Sequence, residues 1–163
     1  MKHGVACNAY SFVNKGQRRI DKKKLKKSKL PSGPLMKKLK EGKNISYKGK
    51  KYSAKNLTFK EDDKKISIVL DTAYNQNAVT LTKGSNVLIC ESSFLDDLKE
   101  KAKENKHLTA KQAAEIAKKS KSKKLILTHI SQRYNMKQNE ILTEAKKVFK
   151  NTSLVKDLDV LTV

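Results

Sequence analysis

The chain changes character at Ile66-Ser67-Ile68-Val69-Leu70-Asp71, an apolar run of strand length that ends in a carboxylate. Two more short apolar runs follow at 87–90 and 125–128, and helix-prone stretches separate the three runs. Strands that alternate with helices along a chain are typical of a layered α/β sheet. The sequence therefore predicts an α/β core over residues 64–163.

Periodicity and turn residues predict the remaining elements. In the core we expect helices over residues 77–82, 94–105, 110–119 and 137–147, and short terminal strands near 154–155 and 160–161. Before the core we expect a strand over 5–13, a basic helix that ends before residue 31, a helix over 35–41 and a hairpin over 45–52. Residues 1–60 would be a basic excursion within a single domain over residues 1–163.

Charge is distributed unevenly along the chain. The 163 residues include 38 Lys and Arg against 16 Asp and Glu, for a formal net charge of +22. Residues 1–60 hold 19 of the basic residues and only 2 of the acidic ones. A general lysine bias is one explanation, but the asymmetry favours a polyanionic partner, above all a nucleic acid. The aromatic residues Tyr10, Phe12, Tyr47 and Tyr52 lie in this region, and we expect them in a core rather than stacked on bases.

Length and hydropathy exclude several classes of protein. A chain of 163 residues is too short for a large multidomain enzyme. No apolar run approaches the roughly 18 residues of a membrane span, and the basic start lacks the apolar stretch of a secretion signal. Cys7 and Cys90 lie far apart, so they predict neither a disulfide framework nor a CxxC metal pair. We expect a soluble, cytoplasmic protein in a reducing compartment.

Two side chains that can bind metal ions follow predicted strands. Asp71 follows the run at 66–70, and His129 follows the run at 125–128. Open α/β sheets place ligands at the carboxyl ends of their strands. A carboxylate with an imidazole suits a divalent ion such as Zn²⁺. An aspartate after a strand is also a common turn former or helix cap, so spacing alone leaves both interpretations open.

A third candidate is His107, which lies just before a predicted helix. Thr109 and Gln112 have the spacing of a capping box, so the imidazole would face a helix N-terminus. That end of a helix attracts phosphate, which makes His107 a candidate proton donor beside a bound anion. The alternative is an ordinary surface histidine.

Taken together, six segments of the chain resemble ribonuclease Z, the tRNA 3′-end endonuclease of the metallo-β-lactamase fold. Leu127-Thr128-His129-Ile130-Ser131-Gln132-Arg133-Tyr134 is similar to the family's Leu-Thr-His-Ile-Ser-Pro-Arg-Tyr. The other similar segments are His3 ahead of Ala9-Tyr10, residues 31–35 with Leu39 and Gly42, Leu70-Asp71-Thr72, residues 88–94, and His107-Leu108-Thr109. The resemblance covers nearly the whole chain and roughly the second half of the family's length. It implies the C-terminal half of an αββα sandwich, with one mixed sheet and helices on one side.

The resemblance also implies a reaction and its residues. A metal-activated water would attack the phosphodiester after the discriminator nucleotide of a precursor tRNA and release the 3′ trailer. His3 would bind one of two Zn²⁺ ions, Asp71 would bridge both, and His129 would bind the other. His107 would help the leaving oxygen take a proton, with Glu91 and Thr109 supporting the site from behind. The predicted RNA-binding residues are Lys22, Lys23, Lys24, Lys26, Lys27 and Arg133.

The chain departs from the family pattern in several places. Cys90 stands where the family has His, Leu70 where it has Gly, Ala73 where it has Arg, and Gln132 where it has Pro. None of these departures removes an implied metal ligand. The main difference is the family's His-x-His-x-Asp-His cluster, which supplies most ligands and does not occur in these 163 residues.

Three ligands cannot fill two metal ions, so the resemblance predicts a split enzyme. A partner polypeptide would carry the missing cluster and the other sheet, the zinc ions would be shared between the halves, and the complete enzyme would dimerise. A truncated or decayed fragment would have the same sequence features. Two further alternatives are a non-catalytic basic RNA-binding or assembly protein, and another phosphodiesterase of the same fold.

Overall fold

A computed structural model describes residues 1–156 and 158–163 of the chain. The strands are β1 (Tyr10–Asn14), β2 (Arg18–Ile20), β3 (Ile45–Tyr47), β4 (Lys50–Tyr52), β5 (Thr58–Lys60), β6 (Lys64–Val69), β7 (Val87–Glu91), β8 (Leu125–Thr128) and β9 (Thr152–Leu154). The α-helices are α1 (Lys22–Ser28), α2 (Leu35–Lys40), α3 (Ala54–Leu57), α4 (Gln76–Leu81), α5 (Lys99–Glu104), α6 (Ala110–Lys119) and α7 (Gln138–Val148). Short 3-10 helices cover Asp96–Leu98 and Gln132–Tyr134.

These elements divide into two compact units. The sheet unit comprises residues 1–13 and 64–163, and the basic unit comprises residues 14–63. The basic excursion that the sequence predicts over residues 1–60 thus corresponds to a separate unit, which begins at residue 14 and ends at residue 63. That residues 1–163 act as one domain stays a prediction.

A five-stranded sheet in the order β1-β6-β7-β8-β9 forms the centre of the sheet unit. The strands β6, β7, β8 and β9 are parallel to their neighbours. The predicted α/β sheet is therefore confirmed. Because parallel strands end at the same edge, Asp71 after β6, Glu91 at the end of β7 and His129 after β8 reach one edge of the sheet.

One face of the sheet is packed against helices. Val69, Leu88, Cys90, Leu125 and Leu127 alternate along their strands and form one hydrophobic core with buried residues of α4, α6 and α7. The face that α6 contributes is Ala110, Ala113, Ala114, Ile116 and Ala117. Four of these five residues are alanines, so the helix can approach the sheet closely.

The opposite face of the sheet is apolar. We call it the open face and define it by Tyr10, Phe12, Ile66, Ile68, Ile89 and Ile126. Ile126 is fully buried, and the others are partly buried or exposed. Ser11 lies 2.7 Å from Ser67 on the helix-packed face, Oγ to Oγ, so the neighbours of Ser11 point the other way. Tyr10 is 55% exposed and Phe12 is 60% exposed. This exposure contradicts the expectation that both aromatic side chains lie in a core.

The basic unit has a small hydrophobic core of its own, formed by Leu30, Leu39, Ile45, Ala54 and Leu57. The predicted hairpin is present as β3 and β4, and its aromatic residues pack on this core. An antiparallel pair of β2 and β5 joins the two ends of the unit. The sequence did not predict this pair, because two three-residue strands about 40 positions apart leave no periodic signal.

A close backbone contact holds the base of the basic unit. The N–H of Gly16 donates a hydrogen bond to Oδ1 of Asp63, 3.0 Å away. A Cβ atom on Gly16 would lie 1.9 Å from the carbonyl oxygen of Glu61. Any larger residue at position 16 would force these two segments apart.

Most predicted elements are confirmed, with shifts of one or two residues at their ends. The first strand is shorter than predicted, because it begins at Tyr10 and not at residue 5. The predicted strand near Val160 and Leu161 is wrong: residues 158–163 form no strand, and β9 already occupies the edge beside β8. The predicted helix over 94–105 begins later, as a 3-10 turn that leads into α5.

The helices of the chain are short. The longest are α6 with 10 residues and α7 with 11. A bilayer span needs about 20 apolar residues. Over residues 1–156 and 158–163, no helix is long and apolar enough to cross a membrane.

Candidate active site

A buried glutamate lies at the centre of the sheet edge. Glu91 is fully buried, and both of its carboxylate oxygens accept hydrogen bonds. Its Oε1 accepts from the backbone N–H of Thr72, and its Oε2 accepts from Ser93 Oγ at 3.0 Å and from the N–H of Leu108 at 3.1 Å. Its Oε2 also accepts from Nδ1 of His107 at 2.9 Å. A carboxylate can be buried when so many donors replace water.

Glu91 fixes the orientation of His107. Because a carboxylate accepts hydrogen bonds, Nδ1 of this ring carries a proton and Nε2 is left available. The backbone is fixed as well: the Thr109 side chain accepts from the N–H of Gln112, and the Gln112 side chain accepts from the N–H of Thr109. This capping box confirms the predicted start of α6. His107 is therefore held by its ring and by the helix that begins shortly after it.

Asp71 and His129 share an unusual backbone conformation. Both lie in the left-handed region, with φ of 49° at Asp71 and 53° at His129. Residues other than glycine adopt this region uncommonly, and such strain is found more often at functional sites. Each residue lies where its strand ends, so the turn aims the side chain at the sheet edge.

These residues form a cluster that fits a metal ion. One candidate ligand atom from each of Asp71, His107 and His129 lies within 4.8 Å of the others. Oδ1 of Asp71 is buried and has no hydrogen-bond partner among the described residues. Its neighbour is Nδ1 of His129 at 3.4 Å, which is an ion pair only when that ring is protonated. An orphaned carboxylate oxygen among imidazoles is the donor set that Zn²⁺ prefers.

His3 lies beside this cluster. Its ring centroid is 5.2 Å from that of His107, and the His107 ring is in turn 5.2 Å from that of His129. Nδ1 of His3 lies 3.3 Å from the carbonyl oxygen of Lys106. The N-terminal segment that carries His3 is attached to the sheet edge by Lys2, whose backbone N–H donates to Thr72 Oγ1 at 2.8 Å. The structure thus brings all three histidines and Asp71 to one place, with His107 rather than His3 in the tightest group.

Sequence reasoning missed one member of the site. Ser93 Oγ lies 3.0 Å from Oε2 of Glu91 and 3.1 Å from Nδ1 of His129, so it links the buried carboxylate to the second imidazole. Its position two residues after Glu91 was the available signal, because strand alternation returns a side chain to the same side. Thr109, by contrast, uses its hydroxyl for the helix cap and for Asp96 Oδ1 at 3.3 Å.

The predicted RNA-binding residues occur in both units. Within the basic unit, the exposed lysines of α1 are Lys22, Lys23, Lys24, Lys26 and Lys27. The N-cap of this helix is Asp21, whose side chain accepts from the N–H of Lys24 at 3.0 Å. Within the sheet unit, Arg133 is exposed and lines a pocket with His107 and His129.

We compared the chain with protein-family models, with curated proteins and with solved structures. No family model matches it. Ribonuclease Z of Borrelia recurrentis is 36% identical over 158 residues, which is 94% of this chain and 50% of that protein. Ribonuclease Z of Enterococcus faecalis is 36% identical over 168 residues, which is 100% of this chain and 53% of that protein. The chain therefore spans about half the length of the curated relatives it matches.

A solved structure supports the fold assignment. The metallo-β-lactamase fold protein YhfI of Bacillus subtilis is similar with a TM-score of 0.52 and 23% identity, over 57% of this chain and 37% of that one. At this identity the likeness concerns the fold alone. The predicted half of a metallo-β-lactamase-like α/β fold is confirmed.

Proposed function

We propose that this chain is one part of a tRNA 3′-processing endoribonuclease. The premise is its homology to ribonuclease Z, which extends along nearly the whole of this chain and about half the length of those relatives. The enzyme would hydrolyse the phosphodiester that releases the 3′ trailer of precursor tRNA. The observation that carries this proposal is the cluster of Asp71, His107 and His129 above the buried Glu91.

The cluster supports a metal-dependent hydrolase. Of this cluster, Asp71 and His129 would hold zinc together with the adjacent His3, and the carboxylate of Asp71 could serve two ions. His107, although it lies in the tightest group, would instead serve the leaving oxygen. Two Zn²⁺ ions, when bound, supply charge neutralisation at the phosphate and a water with a lowered pKa. The buried, unpartnered Oδ1 of Asp71 supports a cation at this place.

His107 would protonate the leaving oxygen. Its Nδ1 donates to Oε2 of Glu91, so the reacting atom is Nε2. Glu91 therefore acts as a positioning residue, and Ser93 ties it to His129 on the other side.

A partner would complete the site. The His-x-His-x-Asp-His cluster is absent from this sequence, and three ligands cannot satisfy two zinc ions. We propose that a second polypeptide with the N-terminal half of the fold supplies those ligands. The complete enzyme would be a dimer of this pair and would act in the cytoplasm.

The open face of the sheet supports such a partner. Ile68 and Ile89 are register neighbours on it, and Phe12 on β1 leaves 60% of its surface exposed. An exposed apolar sheet face is characteristic of a protein interaction site. A second sheet packed here would give the two-sheet core of the αββα sandwich.

The second candidate function is RNA binding without catalysis. The observation that favours it is the exposed lysine run of α1, which has no acidic residue in its first turn. Such a surface binds the phosphate backbone whether or not a reaction follows. Cleavage therefore has to be tested separately from binding.

The test is reconstitution of the enzyme from two purified chains. This chain and a separately expressed half carrying His-x-His-x-Asp-His, mixed with Zn²⁺, should cleave precursor tRNA after the discriminator nucleotide. His129→Ala should abolish cleavage. The control is Asp97→Asn, which removes an exposed carboxylate outside the cluster and should leave cleavage intact. Tight tRNA binding with no product would establish the RNA-binding function instead. Cleavage of other RNA ends only would indicate a different phosphodiesterase.

A further inference from the structure

A pocket opens beside the two imidazoles of the site. It has a volume of about 290 Å³ and is lined by His107 and His129 together with Phe94, Lys101, Asn105 and Arg133. Ser93, Ile130 and Ser131 also line it. The pocket therefore borders both imidazoles, and Asp71 is not among the described residues that line it.

Arg133 makes two contacts in this pocket. Its guanidinium carbon lies 5.0 Å from the centroid of the Phe94 ring, and its Nε donates to Ser131 Oγ at 3.1 Å. Phe94 is itself only 6% exposed and lies 6.4 Å, ring to ring, from His107. An exposed arginine on a helix or turn normally samples many rotamers, so these two contacts restrict the position of its planar guanidinium.

The rest of the wall is cationic and polar. Lys101 and Asn105 are one turn apart on the same side of α5, and the Asn105 side chain donates to the carbonyl of Lys101 at 2.8 Å. Two positive charges, Lys101 and Arg133, thus face one pocket. Cations around a planar surface suit an anion that carries a planar group.

We propose that this pocket holds the ribonucleoside on the leaving side of the scissile phosphodiester, with its base stacked on Arg133. The inference rests on the proposed function, in which the leaving oxygen lies beside His107. That oxygen is the O3′ of a ribose, so its sugar and base must occupy space next to His107. This pocket is lined by His107 and offers such a space.

The proposal assigns Arg133 a positioning role that depends on its shape. The guanidinium lies over the Phe94 ring, and Arg133 is exposed, so its planar group is accessible to a base. Lysine keeps the charge but has no plane, so it cannot replace arginine here. The stacking is indifferent to the identity of the base, because every base has a π face.

The test measures binding directly. The full chain without added metal is titrated with 2-aminopurine ribonucleoside 3′-monophosphate, and binding is followed by the fluorescence anisotropy of the probe. We expect saturable binding, and a dissociation constant that rises about tenfold in Arg133→Lys. The matched control is Arg19→Lys, the same change at a 50% exposed side chain in the basic unit, which should bind as the parent does. Phe94→Leu, which keeps an apolar support but removes the ring, should weaken binding in the same direction.

Two results would overturn the proposal. One is equal affinity of Arg133→Lys and the parent chain. The other is displacement of the probe by equimolar inorganic phosphate, which would mean that the pocket recognises charge alone. Failure of the proposed function looks different, because the probe would then stack on Arg133 while the reconstituted enzyme cleaves no RNA. Conversely, unimpaired cleavage by Arg133→Lys would remove this inference and leave the proposed function standing.

Discussion

Glu91 determines which nitrogen of His107 can react. Replacing it by methionine keeps a side chain of similar length but removes both acceptor oxygens, so Nδ1 of His107 loses its partner. We expect Glu91→Met to lower cleavage by the reconstituted enzyme about 10–100-fold, which is typical when a carboxylate behind a functional histidine is removed. The tautomer of His107, read from long-range ¹H–¹⁵N correlations, should shift from Nδ1–H towards Nε2–H.

Gln112→Glu is a useful control, because it keeps the capping-box spacing while changing a side chain that bonds only the N–H of Thr109. It should leave the His107 tautomer unchanged. An unaltered tautomer in Glu91→Met would mean that the buried carboxylate does not orient the ring.

The two cysteines should differ sharply in reactivity. Cys90 is fully buried in the sheet core, and burial, with a smaller contribution from the charge of Glu91, raises the pKa of its thiol well above the usual range. A raised pKa keeps the thiol protonated, and the thiolate is the reactive form. Cys7 is only partly buried.

At about pH 8 we therefore expect iodoacetamide to modify Cys7 in the native chain and to reach Cys90 only in denaturant. Peptide mass spectrometry counts the adduct on each residue. Equal modification of both cysteines without denaturant would show that the core opens at β7. Protection of Cys90 would support the view that this residue, where the resembled family has histidine, fills a packing position.

The sequence predicted the individual site residues better than their partners. Asp71 and His129 could be predicted because strand ends of a parallel sheet meet at one edge. Ser93 and the backbone N–H groups of Thr72 and Leu108 could not, because serines and amides occur everywhere and only the fold brings them to Glu91. The left-handed backbone of Asp71 likewise has no sequence signal, since aspartate adopts many conformations.

At the scale of elements, the base of the basic unit depends on one glycine. A methyl group on Gly16 would meet the carbonyl of Glu61 at 1.9 Å. We expect Gly16→Ala to destabilise the basic unit by about 1–3 kcal/mol, the usual cost of overpacking. Hydrogen exchange should accelerate in residues 14–63 and stay unchanged in the sheet unit.

Gly33→Ala is the matched control, because nothing lies within 4 Å of the atom that it adds. The backbone amides of this variant should exchange their hydrogens at the same rates as those of the parent chain. If Gly16→Ala also left exchange unaltered, the segments of Gly16 and Glu61 would be able to separate at little cost.

Elements with a strong local signal were predicted and elements without one were not. The helix α6 has a capping box and a face of alanines, and its predicted range of 110–119 is its observed range. The pair of β2 and β5 has no alternation long enough to recognise, so it emerges only from long-range pairing. The exposure of Tyr10 and Phe12 was mispredicted because alternation reveals two faces of a strand but not which face is covered.

At the scale of the whole molecule, the open face should be a binding surface. Ile89→Lys places a charge in the middle of it and should weaken association with the complementary half by more than about tenfold, because an unpaired charge would be buried. Association is measured by calorimetry between the two purified chains. Met136→Lys, at a side chain that is 97% exposed, introduces the same group elsewhere and should have no effect. Normal assembly of Ile89→Lys, with circular dichroism confirming its fold, would exclude this face as the interface.

The basic unit should contribute the salt dependence of RNA binding. Reversal of charge at Lys22, Lys23 and Lys26 should make the affinity for precursor tRNA less dependent on salt. The slope of log affinity against log salt concentration should decrease in magnitude by about 0.7–0.9 for each phosphate that is no longer neutralised. The same reversal at Lys146, Lys147 and Lys150 in the sheet unit tests whether net charge alone is responsible. Equal slopes for the two triple variants would make the α1 lysines an ordinary solvated surface.

The positive φ of Asp71 restricts how this position can evolve. Its backbone tolerates Gly, Asn and Asp, and penalises longer or branched side chains. Asn and Gly would preserve the turn but remove the charge, while Glu would preserve the charge but strain the turn. Of these four residues aspartate alone satisfies both requirements, so selection for a working centre should keep this position invariant.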